Sequence, residues 1–144
     1  EIYTLSLHDA LPIWSARRLS RLAASAFTQE DALFLEFKGA FAENYLLQAL
    51  LPQLDVTPRY WTSDKPRHEV DFIAQIGNVI VPMGVKSGTS VTASSLRHYA
   101  QRHPEGTAVR VRFSMRELSR DGTMLNIPLY LAHRAVPLIM SVLV

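Results

Sequence analysis

From Ser15 to Ala26 apolar residues recur at three- and four-residue spacing: Leu19, Leu22, Ala23 and Ala26 sit among Arg17, Arg18 and Arg21, the pattern of an amphipathic helix. Thr28, with Asp31 three residues on, offers a helix start. The longer helix that follows runs to about Leu51 and stops before Pro52, with Phe37, Phe41, Tyr45, Leu46 and Ala49 along its expected buried side. Gly39 within it lowers helix propensity by about 1 kcal/mol relative to Ala, which points to a close packing contact at that turn.

The period then changes from helical to alternating. Val56 to Thr62 reads as a short strand and Ser63-Asp64-Lys65-Pro66 as a turn. His68 to Gln75 and Asn78 to Lys86 read as two strands of a hairpin, joined at Gly77-Asn78. Alternation puts Val70 and Phe72 on one side with Val79, Val81, Met83 and Val85, facing a core. Glu69, Asp71, Gly84 and Lys86 fall on the other side. A helix from Thr92 to Arg102 ends before Pro104, and Thr107 to Phe113 is a strand with Val109, Val111 and Phe113 set against Arg110 and Arg112. Asp121-Gly122 marks a turn. Pro128 suits the first turn of a closing helix through Leu131 and Ala135, which Pro137 should end or kink. With no repeat and no low-complexity segment, the fold class is α/β (α+β): one unit with a mixed central sheet flanked by helices.

Composition adds bounds. Hydrophobic residues make up 48% and charged residues 19% of the 144, enough for a core and no case for disorder. There is no cysteine, which removes disulfides, thiolate metal sites and cysteine nucleophiles and is compatible with a reducing, cytoplasmic compartment. No apolar run approaches the roughly 18 to 20 residues that span a bilayer. The 15 Lys and Arg against 13 Asp and Glu leave +2, too little to name a partner.

Residues 1–13, EIYTLSLHDALPI, lack the basic start and cleavage site of a signal peptide. Back-translated, they fit codon for codon the end of a widely used short-read sequencing adapter, with Trp14 across the junction. The expected organisation is therefore an adapter-derived leader over 1–14 and one domain over 15–144, itself a fragment of a larger protein. Without Glu1 and Asp9 the negative charges fall from 13 to 11 and the net charge becomes +4. The nucleotide sequence checks this: different codons at these positions would overturn it.

The residues that could carry chemistry are Glu43 on the long helix, Glu69 and Asp71 on the first hairpin strand, and Lys86 at the end of the second. Carboxylates converging on a strand face beside a lysine are what a Mg²⁺-dependent phosphodiester hydrolase needs: hard oxygens for the metal, and an ammonium to orient water or stabilise the transition state. A solvated face with loose salt bridges explains the same residues. Arg97, Arg110 and Arg112 belong to the densest basic stretch, which could follow a phosphate backbone. An ordinary arginine-rich surface fits them equally, since no aromatic platform accompanies them. No G-x-x-x-x-G-K-[ST] occurs, so this piece has no P-loop for ATP. His68, His98, His103 and His133 lack metal-ligand spacing, and His98 and His103 are expected at the surface.

The stretches FKGAFAENYLLQAL, YWTSDKPRHEVDFIAQIGNVIVPMGVKSG, SLRHYAQRHPEGTAVRVRFS and DGTMLNIPLYLAHR resemble, in order and spacing, the uncharacterised C-terminal domain of a large family of prokaryotic AAA-type ATPases. That resemblance implies a PD-(D/E)XK restriction-endonuclease-like fold and an N-terminal ATPase module as the missing partner. It also implies Glu43 as helix carboxylate, Asp71 as metal-binding aspartate and Lys86 as motif lysine. Gly84 departs from it, standing where the family typically has a glutamate. The metal would then rely on Asp71, Glu43 or Glu69, and Mg²⁺ is expected to be weakly held or lost. The implied function is an accessory, catalytically impaired domain for interaction or nucleic-acid binding. The alternative is an active Mg²⁺-dependent DNA nuclease using Glu43, Asp71 and Lys86. DNA and a second copy of the chain are the further partners this admits.

Overall fold

The structure, a computed structural model, describes residues 2–4, 32–64, 67–86 and 93–143. The helix expected over Ser15–Ala26, the start at Thr28 and the cap at Thr92 lie outside these residues. The described elements, in chain order, are β1 (Ile2–Thr4), α1 (Ala32–Leu50), β2 (Arg59–Asp64), β3 (Arg67–Ile76), β4 (Val79–Lys86), α2 (Ser94–Arg102), β5 (Arg110–Ser114), β6 (Ser119–Asp121), β7 (Met124–Pro128) and α3 (Ala135–Leu143). A 3₁₀ segment, Leu129–Arg134, joins β7 to α3.

The strands form one mixed sheet in the order β1-β2-β3-β4-β5-β7-β6. β1 to β4 pair antiparallel, β4, β5 and β7 run parallel, and β6 returns antiparallel on the edge of β7. The parallel step from β4 to β5 requires a crossover, and α2 supplies it. Gly77 and Gly122, both at positive φ, make the two tight turns, β3 to β4 and β6 to β7.

The sheet has two unequal faces. On one, alternate residues of the central strands (Phe72, Val81, Met83, Val111, Phe113, Ile127) meet Leu46, Leu47 and Leu50 of α1 and Ala135 and Ile139 of α3 in the main core. Gln53, just past α1, ties these helices together: its Nε2 donates to the carbonyls of Ala49 (2.6 Å) and Ala132 (2.8 Å), and its Oε1 accepts from the Val136 N–H (3.1 Å). On the other face a smaller cluster of Trp61, Val70, Ile73, Leu96 and Tyr99 seats α2 on β2 and β3. No described helix is long and apolar enough to cross a membrane.

Several expectations are corrected. Val70 does not share the core side with Phe72: it joins the α2 cluster. Arg59 pairs with Ile73 but Trp61 with Val70, so two steps along β2 match three along β3, and this bulge breaks simple alternation. Val56 stays exposed outside β2, which starts after Pro58, a residue without the N–H a ladder needs. Gly39 marks no close contact, since a Cβ there would meet nothing within 4 Å among the described residues. The α1 stripe is Ala42, Leu46, Leu47 and Leu50, flanked by Tyr45 and Ala49. The segment after Pro128 is 3₁₀, and β6 and β7 were not anticipated as strands. Pro137 sits in the first turn of α3 rather than ending a helix, because there a missing N–H leaves no bond unmade.

Phe113, fully buried under both helices, sets the expected scale of core loss. Phe113→Ala is expected to destabilise by about 3–5 kcal/mol, whereas Pro137→Ala should change stability by at most about 1 kcal/mol. Urea unfolding of the two variants checks this, and equal losses would contradict the assignment.

Candidate functional site

The phase of the sheet, fixed by its closed face, decides what the open face carries. Gly84 of β4 pairs with Arg112 of β5, Arg112 with Asn126 of β7, and Asn126 with Ser119 of β6. On the other flank of Gly84 stands Asp71: a Cβ built on Gly84 would lie 3.6 Å from Asp71 Oδ2 and 3.5 Å from Leu96 of α2, ordinary contact distances. Asp71, Gly84, Arg112, Asn126 and Ser119 thus form one lateral row. Lys86, at the exposed end of β4, pairs with Ser114 in the next row.

Two cavities open on this row. The inner one, about 80 Å³, is lined by Glu69, Asp71, Gly84, Lys86, Leu96 and Arg112, among others. The outer one, about 370 Å³, is lined by Arg97, Arg110, Arg112, Ser119, Asp121 and Asn126, with Met124 beneath. Ala93, Ser94 and Arg112 border both, so the cavities are adjacent. The three arginines singled out in the sequence come from α2 and β5 and meet around one space.

Asp71 is largely enclosed, and its Oδ2 accepts the Val85 N–H at 2.7 Å. Burial raises its pKa above the usual aspartate value, opposed by that hydrogen bond and by Lys86, while Glu69 adds to the rise. Glu43 lies on α1 one turn before Leu46 and Leu47, at the end of the stripe that faces the sheet. Part of it is exposed, yet the protein around its carboxyl and then the charge of Asp71 push its pKa up to about 7, with Lys86 lowering and Glu69 raising it. Water at the exposed side screens these charges, so the pH dependence is a matter of sign rather than of a large energy.

These groups share electrostatic reach without forming a coordination shell. Among the described residues no three of His, Asp and Glu are grouped closely enough to hold a metal ion. The carboxylate of Glu69 is engaged by Arg67 at 2.9 Å in an exposed pair, Asp71 is engaged by Val85, and position 84 offers no oxygen. The donor set expected for Mg²⁺, which demands several hard oxygens in near-octahedral array, does not fit that ion as the side chains stand.

Asn126 is the residue that the sequence reasoning did not single out for a role. Only 1% exposed, it accepts at Oδ1 from Arg112 Nε (3.1 Å) and Ser114 Oγ (2.7 Å), and donates from Nδ2 to the carbonyls of Arg116 (3.2 Å) and Glu117 (2.7 Å). Its signal was available: a polar amide between Leu125 and Ile127, both core residues. His98 was expected at the surface. It is half-buried there, its ring stacked on His68 with centroids 4.3 Å apart where α2 packs against β2 and β3. Burial first, then the charges of His68 and Arg102, lower its pKa.

Residues 38–131 match the family model described as domain of unknown function (DUF4143). No curated protein and no solved structure matches the chain.

The pH behaviour follows from the two raised carboxyls. Between about 4.5 and about 7, folded Glu43 keeps a proton that the unfolded chain releases, so stability falls as pH rises through this window and levels off above it. Glu43→Gln should flatten part of that slope, leaving the contribution of Asp71, and should be at least as stable as the parent above pH 7. Thermal melting across this pH range checks it; a steeper slope in the variant would contradict it.

Proposed function

The chain belongs to the family described as domain of unknown function (DUF4143), and we propose that it is a nuclease-like, non-catalytic accessory domain of an AAA-type ATPase that holds nucleic-acid backbone in its arginine-lined groove. The observation that carries this reading is the convergence of Arg97, Arg110 and Arg112 on one cavity that adjoins the Asp71–Lys86 pocket. Phosphate oxygens are met by guanidinium groups, which suit them better than point charges do. Lys86 extends the positive wall inward. The missing carboxylate at position 84 removes the partner that Asp71 would need, and accurate placement of a hydrolytic metal goes with it. What remains is a surface that binds without cutting, in a cytoplasmic protein whose ATPase module lies elsewhere in the parent chain.

Contact with that module, or with a second copy, is the companion role. The groove occupies the open face only, which leaves the helical layer of α1 and α3 for other contacts.

The 144-residue chain is expected to bind DNA with an affinity that falls with salt, the log–log slope on duplex being about 0.9 for each phosphate neutralised. It should leave DNA intact in Mg²⁺ or Mn²⁺, and Arg110→Gln should weaken binding. Gly84→Glu, whose Cβ would sit at ordinary contact distance from Leu96 and Asp71, tests the missing group: metal-dependent cleavage in this variant alone would support the reading. Robust cleavage by the unaltered chain, or absence of salt-sensitive binding, would overturn it.

A further inference from the structure

Among the described residues, Arg112 is the charged one that lines both cavities. Its guanidinium is not left to find its own direction. Nε donates to Oδ1 of Asn126, and that amide spends its remaining capacity on Ser114 Oγ and the carbonyls of Arg116 and Glu117. An amide has two donors and two acceptor lone pairs, so four bonds hold Asn126 in a single orientation. The Ser114 hydroxyl in turn accepts the Arg116 N–H at 3.1 Å, which closes the network around the end of β5.

We propose that Asn126 is a positioning residue, which aims the Arg112 guanidinium across the junction of the two cavities so that a phosphate bound there is gripped by a fixed fork. This rests on the nucleic-acid reading above and deepens it by naming the contact that ligand must make. An arginine free to rotate gives up side-chain entropy on binding; one already clamped at Nε does not. The surroundings agree with an anion as occupant, since burial and the neighbouring Arg116 both disfavour the charge of Arg112, while Asp121 favours it. The paired positions reinforce this: Gly84 and Asn126 flank Arg112 on its two neighbouring strands, so the β4 position adds no side chain and the β7 position is the clamp.

Asn126→Ala would remove four hydrogen bonds at once and endanger folding, so the decisive variants are at Arg112. The probe is a fluorescent single-stranded DNA of about 12 nucleotides, titrated at several salt concentrations against the 144-residue chain. Arg112→Gln is expected to weaken binding about tenfold and to make the salt slope shallower by about 0.7, one phosphate contact on a single strand. Arg112→Lys keeps the charge, and therefore the slope, but cannot donate through an Nε–H to Asn126, and should also bind about tenfold more weakly. Full affinity in Arg112→Lys would overturn the positioning role, and full affinity in Arg112→Gln would overturn the contact itself. If either occurs while Arg97→Gln and Arg110→Gln still weaken binding, the groove reading stands without this inference. No binding by the unaltered chain would sink both.

Discussion

The closed face of the sheet is the constraint from which the rest follows. Val111, Phe113 and Ile127 have no exposure beneath α1 and α3, and a strand whose side chains alternate cannot bury these without turning their neighbours the other way. Arg110, Arg112 and Asn126 face the open side because of that hydrophobic anchoring, not because anything on the open side attracts them. The anchoring is itself clamped by Gln53, which fixes the distance between α1 and α3 through three hydrogen bonds. A one-residue slip in β5 would exchange arginines for valines and abolish the groove and the core together.

The open face is open for a topological reason. One crossover helix is enough to make β4 and β5 parallel, and α2 is short, packing on β2, β3 and β4. Among the described residues, α2 borders the floor made by β5, β7 and β6 at its margin, through Ser94 and Arg97. In sheets with parallel strands, binding clefts form beyond the carboxyl ends of the strands where such a crossover begins or ends. Lys86 and Ser114 mark those ends here, and the charged groups collect around them.

Much of this was legible in the chain. Strong alternation in β4 and β5 gave the right faces for Val81, Met83, Val85, Val111 and Phe113, and placed Gly84, Lys86, Arg110 and Arg112 opposite them. β6 escaped because it is only three residues long, and β7 because Pro128 carries two meanings: it can open a helix or close an edge of a strand. The bulge escaped because nothing in His68-Glu69-Val70-Asp71-Phe72 announces that two residues will oppose one. The role of Asn126 is not legible from its neighbours, since a buried amide declares its role through partners from other strands and loops. The shared reach of Glu43 and Asp71 needed the fold, as α1 and β3 are brought together only by packing.

The bulge in β3 has a mechanical side. Regular alternation would send Val70 and Asp71 to opposite faces, where the motions of one need not follow the other. Here consecutive residues serve the same side, Val70 wedged under Leu96 and Tyr99 and Asp71 against Gly84. They share a rigid peptide plane. The seat of the helix and the wall of the inner cavity are therefore built from consecutive residues of one strand.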